Sequence, residues 1–231
     1  MTVEDFKNGQ VLLIDKPLDW TSFQVVNKIR GTIKKQFNLR KIKVGHAGTL
    51  DPLATGLLII CTGKFTKRIE EFQSQIKEYT GTFTIGSTTP SYDLETEINE
   101  HFITEHITDK LIRDTTDLFT GEIEQKPPMF SAIKKDGKRL YELARAGKTI
   151  EIKSRKVTIS EFEITKIDLP IIEFKVVCSK GTYIRSLAND FGKALHSGAH
   201  LSSLRRTKIG NYSSKDAYSI DMFLNTISGN A

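Results

Sequence analysis

Three observations predict an α+β fold for this chain of 231 residues. Strand-like alternation and helix-like three-and-four spacing succeed one another without the strict strand–helix–strand rhythm of a parallel α/β protein. The apolar content of 38% is enough to bury one sizeable core or two small ones. No apolar run reaches the ~18 residues of a membrane span, and the N-terminus carries no signal pattern. A cytoplasmic protein with no membrane partner is therefore expected.

In order, residues 10–15 read as a short strand and 16–20 as a turn. Thr21 or Ser22 can cap a helix whose apolar positions Phe23, Val26, Ile29, Ile33 and Phe37 recur at spacings of three and four. A basic run (Lys34, Lys35, Arg40, Lys41, Lys43) leads into residues 44–56, which hold three glycines, one proline, one histidine and one carboxylate, Asp51. That composition predicts a shaped loop rather than a helix or strand. Residues 57–61 then read as a buried strand, 66–72 as a short helix and 77–85 as an alternating strand with Tyr79 near its start.

Further on, residues 105–119 fit an amphipathic helix with Ile107, Leu111, Ile112 and Leu118 on its apolar face. Residues 121–130 run extended, since each of Pro127 and Pro128 disfavours helix in its predecessor. Residues 157–167 and 171–179 pair as strands. Gly181 breaks the second, and a helix follows through Arg185. The two cysteines, Cys61 and Cys178, sit in apolar runs without metal-ligand spacing and read as buried reduced thiols.

Charge is segregated. Residues 131–231 carry 18 Lys and Arg against 10 Asp and Glu, whereas residues 1–130 carry 16 against 18, so the net charges are +8 and −2. Between Ser131 and Lys156 there are nine bases and three acids. Such a segment suits a mobile flap meeting phosphates through Lys134, Lys138 and Arg139. A carboxylate on a stiff loop in front of a buried strand is a candidate catalytic group, because chemistry requires preorganised side chains.

The fourteen residues Gly-His-Ala-Gly-Thr-Leu-Asp-Pro-Leu-Ala-Thr-Gly-Leu-Leu, from Gly45 to Leu58, resemble the catalytic loop of the TruB-type tRNA pseudouridine synthases. The likeness continues in order from Lys16 to Gly210. It takes in Lys-Pro…Thr-Ser, Lys-x-Tyr at Tyr79 and Gln-x-Pro-Pro…Ser-Ala. After these come Gly-x-x-Leu-Tyr-Glu-x-Ala-Arg-x-Gly, Lys-Gly-Thr-Tyr-Ile-Arg at Arg185 and Leu-Arg-Arg-Thr at Leu204. Residues 90–92 depart from the family's usual loop, and Asp93 aligns without an assigned role.

The resemblance implies the pseudouridine-synthase fold, a largely antiparallel mixed sheet flanked by helices with a central catalytic cleft. It implies a catalytic domain over 1–212, with an RNA-binding flap at about 125–155. Residues 213–231 are then a short extension, too few for the RNA-binding PUA domain that many members carry. The implied reaction isomerises uridine 55 in the T arm of tRNA. The N1–C1′ bond breaks, the base turns over and rejoins through C5, and one proton leaves C5. No electrons, phosphate or net water are exchanged, so neither cofactor nor metal is expected. A tRNA T-arm stem-loop is the expected partner, with no obligate protein partner.

By the same resemblance Asp51 acts on the sugar, either attacking C1′ or removing a proton from C2′. Arg185 pairs with Asp51, and Tyr79 stacks on the uracil. His46 fills the space left by the flipped base, and Leu204 walls the pocket. Lys16, Lys67 and Tyr183 join the substrate-binding set. Two other readings share part of the pattern: a synthase acting on rRNA or within a guided complex, and a non-catalytic RNA-binding protein. The joint presence of Asp51, Tyr79 and Arg185 argues against pure binding.

Overall fold

The computed structural model describes residues 1–135, 137–148 and 150–229. They fall into two compact units, residues 1–79 with the C-terminal residues from Leu204, and residues 80–203.

The first unit begins with α1 (Val3–Asn8), whose Thr2 and Asp5 form a reciprocal capping box. Strand β1 (Val11–Lys16) alternates between half-buried and buried positions. In α2 (Ser22–Gln36) the Thr21 hydroxyl accepts from the Gln24 amide, and the Gln24 side chain accepts from the Thr21 amide. The cap is therefore Thr21, which leaves Ser22 for another task. The buried face of α2 is Val25, Val26, Ile29 and Ile33; Phe23 is 63% exposed. At about 100° per residue Phe23 lies off that stripe, so its predicted place on the core face is corrected.

Strands β2 (Val44–Ala47) and β3 (Ala54–Thr62) follow, then a 3₁₀ segment (Gly63–Arg68), α3 (Ile69–Gln73) and β4 (Lys77–Ile85). The stretch expected to be one long loop is thus a loop only from Gly48 to Leu53. Val44–Ala47 becomes a strand because it pairs with β3 residues twelve to eighteen positions downstream. Its glycine content suggested a loop, but a long-range edge outweighed it.

In the second unit the short strands β5 (Ser87–Thr88) and β6 (Glu100–His101) pair with each other. Helix α4 (Asp109–Thr115) starts later than the periodicity suggests, because Thr108 caps it, and it tightens into 3₁₀ over Thr116–Phe119. Leu118, expected on the apolar face, is 67% exposed in that tightened turn. Strand β7 (Gly121–Gln125) precedes a hairpin, β8 (Lys134–Lys135) with β9 (Lys138–Arg139), and α5 (Leu140–Arg145). Long strands β10 (Arg155–Asp168) and β11 (Ile171–Cys178), helix α6 (Ile184–Ala194) and the start of β12 (Ala199–Ile209) complete it. Strand order within this unit is β12-β4-β11-β10-β7. Phe191 of α6 lies 5.9 Å from Phe83 and 5.4 Å from Phe162, so a knot of aromatic rings joins helix to sheet.

Returning to the first unit, the end of β12 pairs with β13 (Tyr212–Ser213), and α7 (Ile220–Ser228) closes the chain. Ile220, Phe223 and Ile227 of α7 pack with Ile14, Val26 and Ile29. The segment expected to be an extension is thereby part of this unit's core.

Strand β3 is that unit's buried centre. Along one edge it pairs with β1, from Gly56 to Cys61. The other edge is divided: β12 pairs in parallel with Ala54–Gly56, and β2 pairs antiparallel with Ile59–Thr62. The Gly48–Leu53 loop connects these strands beside the gap between the two partners. Both cysteines are buried thiols, and no helix among the described residues is long and apolar enough to cross a membrane.

Candidate active site

The loop that carries Asp51 is held through a backbone group of every residue from Gly48 to Pro52. Arg206 of β12 is 1% exposed, and its guanidinium donates to the Leu57 carbonyl at 2.8 Å and the Gly48 carbonyl at 3.0 Å, with the Thr49 carbonyl at 3.5 Å. Leu57 lies in the gap on the β3 edge, between the residues paired to β12 and those paired to β2. Its carbonyl lacks a strand partner there, and the arginine supplies the missing donor. Gly56, at φ 100°, lets β12 come this close: a Cβ there would stand 2.3 Å from the Arg206 carbonyl oxygen.

Ser22 grips the next residue from both sides. Its hydroxyl accepts from the Leu50 amide at 2.8 Å and donates to the Leu50 carbonyl at 3.0 Å. The Pro52 carbonyl takes the Lys16 ammonium at 3.2 Å and the Asp19 amide at 2.9 Å. The Ala54 amide closes the turn onto the Asp51 carbonyl at 3.1 Å. Within this frame the Asp51 side chain remains half-exposed, a carboxylate presented by a backbone with little freedom.

Lys16 has no exposed surface, and its ammonium also donates to the carbonyls of Pro17 at 2.8 Å and Trp20 at 2.6 Å. Burial lowers its pKa to about 8, against the opposing charges of Asp51 and Asp19. Its three donors are thus spent on backbone carbonyls of the β1–α2 turn and the Asp51 loop. Lys16 positions the loop.

His46 is half-buried on β2, opposite Ile60 of β3. Its Nδ1 is buried with no hydrogen-bond partner among the described residues. Burial and then the Arg206 charge hold its pKa below the usual imidazole value, so it is neutral at physiological pH. Tyr79 is 9% exposed on β4. Leu204 is half-buried, set by the β12 register opposite Ala54 at the end of the Asp51 loop. Lys67 is exposed and groups with Lys7, Lys41, Lys43 and Lys64 rather than with the residues that hold the loop.

In the second unit, Arg185 near the start of α6 is 3% exposed. Its Nε lies 3.5 Å from an Asp93 carboxylate oxygen, and its Nη1 donates to the Phe130 carbonyl at 2.8 Å. Asp93 itself accepts from the Glu95 amide at 2.9 Å. Asp93, aligned without a role in the sequence, is thus a carboxylate that holds Arg185 within its own unit. Tyr183 is stapled to Gln125, which accepts from its amide at 2.7 Å and donates to its carbonyl at 3.0 Å. Its ring lies 4.8 Å from the Arg155 guanidinium. Lys134, Lys138 and Arg139 are exposed on the β8–β9 hairpin, while Leu140 beside them is buried.

Ser22 and Arg206 were not singled out by sequence. The available signal for Arg206 was its place next to Arg205 in a strand, since neighbours there face opposite sides. Arg205 points the other way, making two bonds to the Asp15 carboxylate at 3.1 and 2.7 Å. Among the described residues, no cluster of three or more His, Cys, Asp or Glu could hold a metal.

Comparison with known proteins bears on this arrangement. Residues 34–184 match the TruB family pseudouridylate synthase N-terminal domain, and residues 185–229 match the tRNA pseudouridylate synthase B C-terminal domain. The chain belongs to the TruB family of pseudouridylate synthases. Its members are isomerases that convert uridine in RNA to pseudouridine, and this chain is a tRNA pseudouridine synthase of that family. It is similar to tRNA pseudouridine synthase B of Flavobacterium johnsoniae, with 68% identity over 224 residues, 96% of this chain and 98% of the relative. The corresponding protein of Phocaeicola vulgatus is 58% identical over 219 residues, 95% of this chain and 93% of the relative. Among solved structures, a chain in a Cbf5-Nop10-Gar1 complex superposes with a TM-score of 0.71 at 28% identity. That match covers 98% of this chain and 57% of the solved one, so the TruB-family chain spans little more than half its length.

Proposed function

We propose that this TruB-family enzyme acts on uridine 55 in the T-arm loop of tRNA, with Asp51 as its catalytic residue. The observation that carries the reading is the Gly48–Leu53 loop, whose backbone is secured by Arg206, Ser22, Lys16 and Asp19 while the Asp51 carboxylate stays half-exposed. Such a frame suits a group that must meet one sugar carbon within a fraction of an ångström.

The target base leaves the loop stack at a cost of a few kcal/mol, offset by stacking and backbone contacts. Asp51 then either attacks C1′ or takes a proton from C2′. In both routes the N1–C1′ bond breaks, C5 bonds to C1′, C5 gives up a proton and N1 gains one. In the first the bond from C5 displaces the Asp51 carboxylate from C1′, and in the second Asp51 returns its proton to C2′. In this reading Tyr79 stacks on the uracil and takes the C5 proton, and Leu204 walls the pocket. His46 is neutral, and its flat ring suits the space the base vacates. Arg185, buried and held by Asp93, is the third member of the catalytic set. Exposed Lys134, Lys138 and Arg139 meet phosphates.

The test is Asp51→Asn on a whole tRNA transcript and on an isolated T-arm stem-loop, with pseudouridine mapped by position. The expected result is loss of product at position 55 with RNA affinity nearly unchanged, since phosphate contacts belong to Lys and Arg. Normal turnover by the Asn variant, or product formed at another position, would overturn the reading. A 2′-deuterated substrate separates the two routes, because a primary isotope effect requires C2′ deprotonation.

A further inference from the structure

The segment read as an RNA-binding flap is tied to Arg185 along two routes. The first runs through the backbone. Arg185 Nη1 donates to the Phe130 carbonyl at 2.8 Å, and the next carbonyl, of Ser131, accepts from the Tyr141 amide at 3.0 Å. The Ile133 carbonyl accepts from the Leu140 amide at 2.9 Å. Phe130 and Ser131 thus join the arginine to the start of α5, where Leu140 is 1% exposed.

The second route runs through carboxylates. Glu95 Oε1 lies 2.5 Å from Nη2 of Arg145, the last residue of α5. The Glu95 amide donates to one oxygen of the Asp93 carboxylate, whose other oxygen faces Arg185 Nε at 3.5 Å. The loop between them is stiff. The Asp93 carbonyl accepts from the Thr89 and Ser91 hydroxyls at 2.6 and 3.1 Å, and the Ser91 and Thr96 hydroxyls bond each other at 2.8 Å. Movement of Glu95 is therefore passed to Asp93 rather than absorbed.

Together the routes close a ring from Arg185 through Asp93, Glu95, Arg145 and α5 back to Ser131 and Phe130, all within one compact unit. Arg139, one of the flap's phosphate-facing cations, lies 5.8 Å from the Tyr141 ring, and Arg145 approaches the same ring at 5.3 Å. The phosphate-facing and the clamped ends of α5 thus share one side chain.

We propose that Glu95 is a positioning residue for the isomerisation: by holding Arg145 it makes the seating of the flap on RNA set the place of Asp93, and through Asp93 that of the Arg185 guanidinium. The flap then contributes to rate as well as to affinity. An exposed ion pair couples its partners by up to about five-fold, so the effect is a modulation of rate and not its loss. The proposal rests on Arg185 serving the reaction and on the flap meeting RNA, and not on uridine 55 or Asp51.

The test uses the full chain and a tRNA transcript that the wild-type enzyme converts. Glu95→Gln, Arg145→Gln, the double variant and Arg145→Lys are compared for Kd and for the single-turnover rate at saturating RNA. Glu97→Gln changes a neighbouring exposed acid. Each Gln variant should lose about 2- to 5-fold in rate, and the double variant no more than the worse single. Arg145→Lys keeps the pair and should stay near the wild-type rate. Kd in Glu95→Gln should stay within about two-fold, since no cation is lost. The Arg185 Nε–H resonance, assigned by its absence in Arg185→Lys, should move in Glu95→Gln and stay in place in Glu97→Gln. Multiplying losses in the double variant, or a wild-type rate in Glu95→Gln, would overturn the proposal. So would tighter binding with a faster rate, which would make the pair a clasp that RNA must break. An equal loss in Glu97→Gln would reduce the effect to overall charge and overturn it too. A wild-type rate in Arg185→Lys is a different failure, because it removes Arg185 from the reaction whether or not Glu95 and Arg145 are coupled. RNA affinity unmoved by loss of Lys134, Lys138 and Arg139 would likewise remove the flap.

Discussion

Replacing Arg206 by Met tests whether the Asp51 loop is held from β12. The change keeps an unbranched stem but removes the donors to Leu57 at 2.8 Å and Gly48 at 3.0 Å. Hydrogen bonds from a charged donor contribute about 1.5–3 kcal/mol each, and a buried acceptor left alone costs about 1–3 kcal/mol. Part of that is offset, because the variant no longer buries a guanidinium. A net destabilisation of about 2 kcal/mol follows, and at 2–4 °C per kcal/mol for a chain of this size Tm should fall by about 4–8 °C. The loop remains tied at Leu50 and Pro52, so Asp51 shifts rather than unfolds. A displacement near 1 Å costs on the order of 100-fold in rate, and a 10- to 100-fold fall in the single-turnover rate is expected, roughly. RNA affinity should hold, since a residue 1% exposed does not meet phosphates. The Arg206 charge also depresses the His46 pKa, so the His46 imidazole should titrate at higher pH in the variant when followed by NMR. Ser22→Ala, which frees Leu50 instead, should lower the rate in the same direction. A wild-type rate in Arg206→Met, or a loss of affinity matching the loss of rate, would refute the bracing role.

Lys16 gives a pH signature. Its folded pKa of about 8 lies below the ordinary 10.5, so between those values the unfolded chain binds more protons and stability rises with pH. The wild-type protein should gain up to about 3 kcal/mol over that window relative to Lys16→Met, read as the difference between their denaturant unfolding curves. Equal pH dependence in the two proteins would show that Lys16 is not buried as a cation. Asp93→Asn leaves the Arg185 guanidinium buried beside a neutral amide and should cost about 3–5 kcal/mol, with activity lost at temperatures where the wild type is folded; a Tm within a degree of wild type would contradict the pairing. Replacing Lys134, Lys138 and Arg139 together by Ala should reduce the salt dependence of RNA binding by about two units while the protein's Tm stays put, because all three side chains are exposed.

The sequence by itself determined the local elements and the chemistry they could carry. A short apolar run marks β1, period-two alternation marks β10, three-and-four spacing marks α2, and the glycines and proline around Asp51 mark a stiff loop. These are short-range properties, written in neighbouring residues. The identity of the candidate carboxylate was legible for the same reason, since Asp51 is the one acid in that loop. Only the tertiary structure decided what holds it. Val44–Ala47 is a strand because a free stretch of β3 edge lies beside it, and Thr21 rather than Ser22 caps α2 because Ser22 is taken by Leu50. Lys16 turned out to position the loop, since carbonyls of Pro17, Trp20 and Pro52 enclose its ammonium. Arg206 meets Gly48 from 158 positions away, and Arg185 finds Asp93 across a long excursion of chain as well. A buried charged group satisfies whichever acceptors the packed backbone brings to it, and that set is defined only once distant strands have been brought into register.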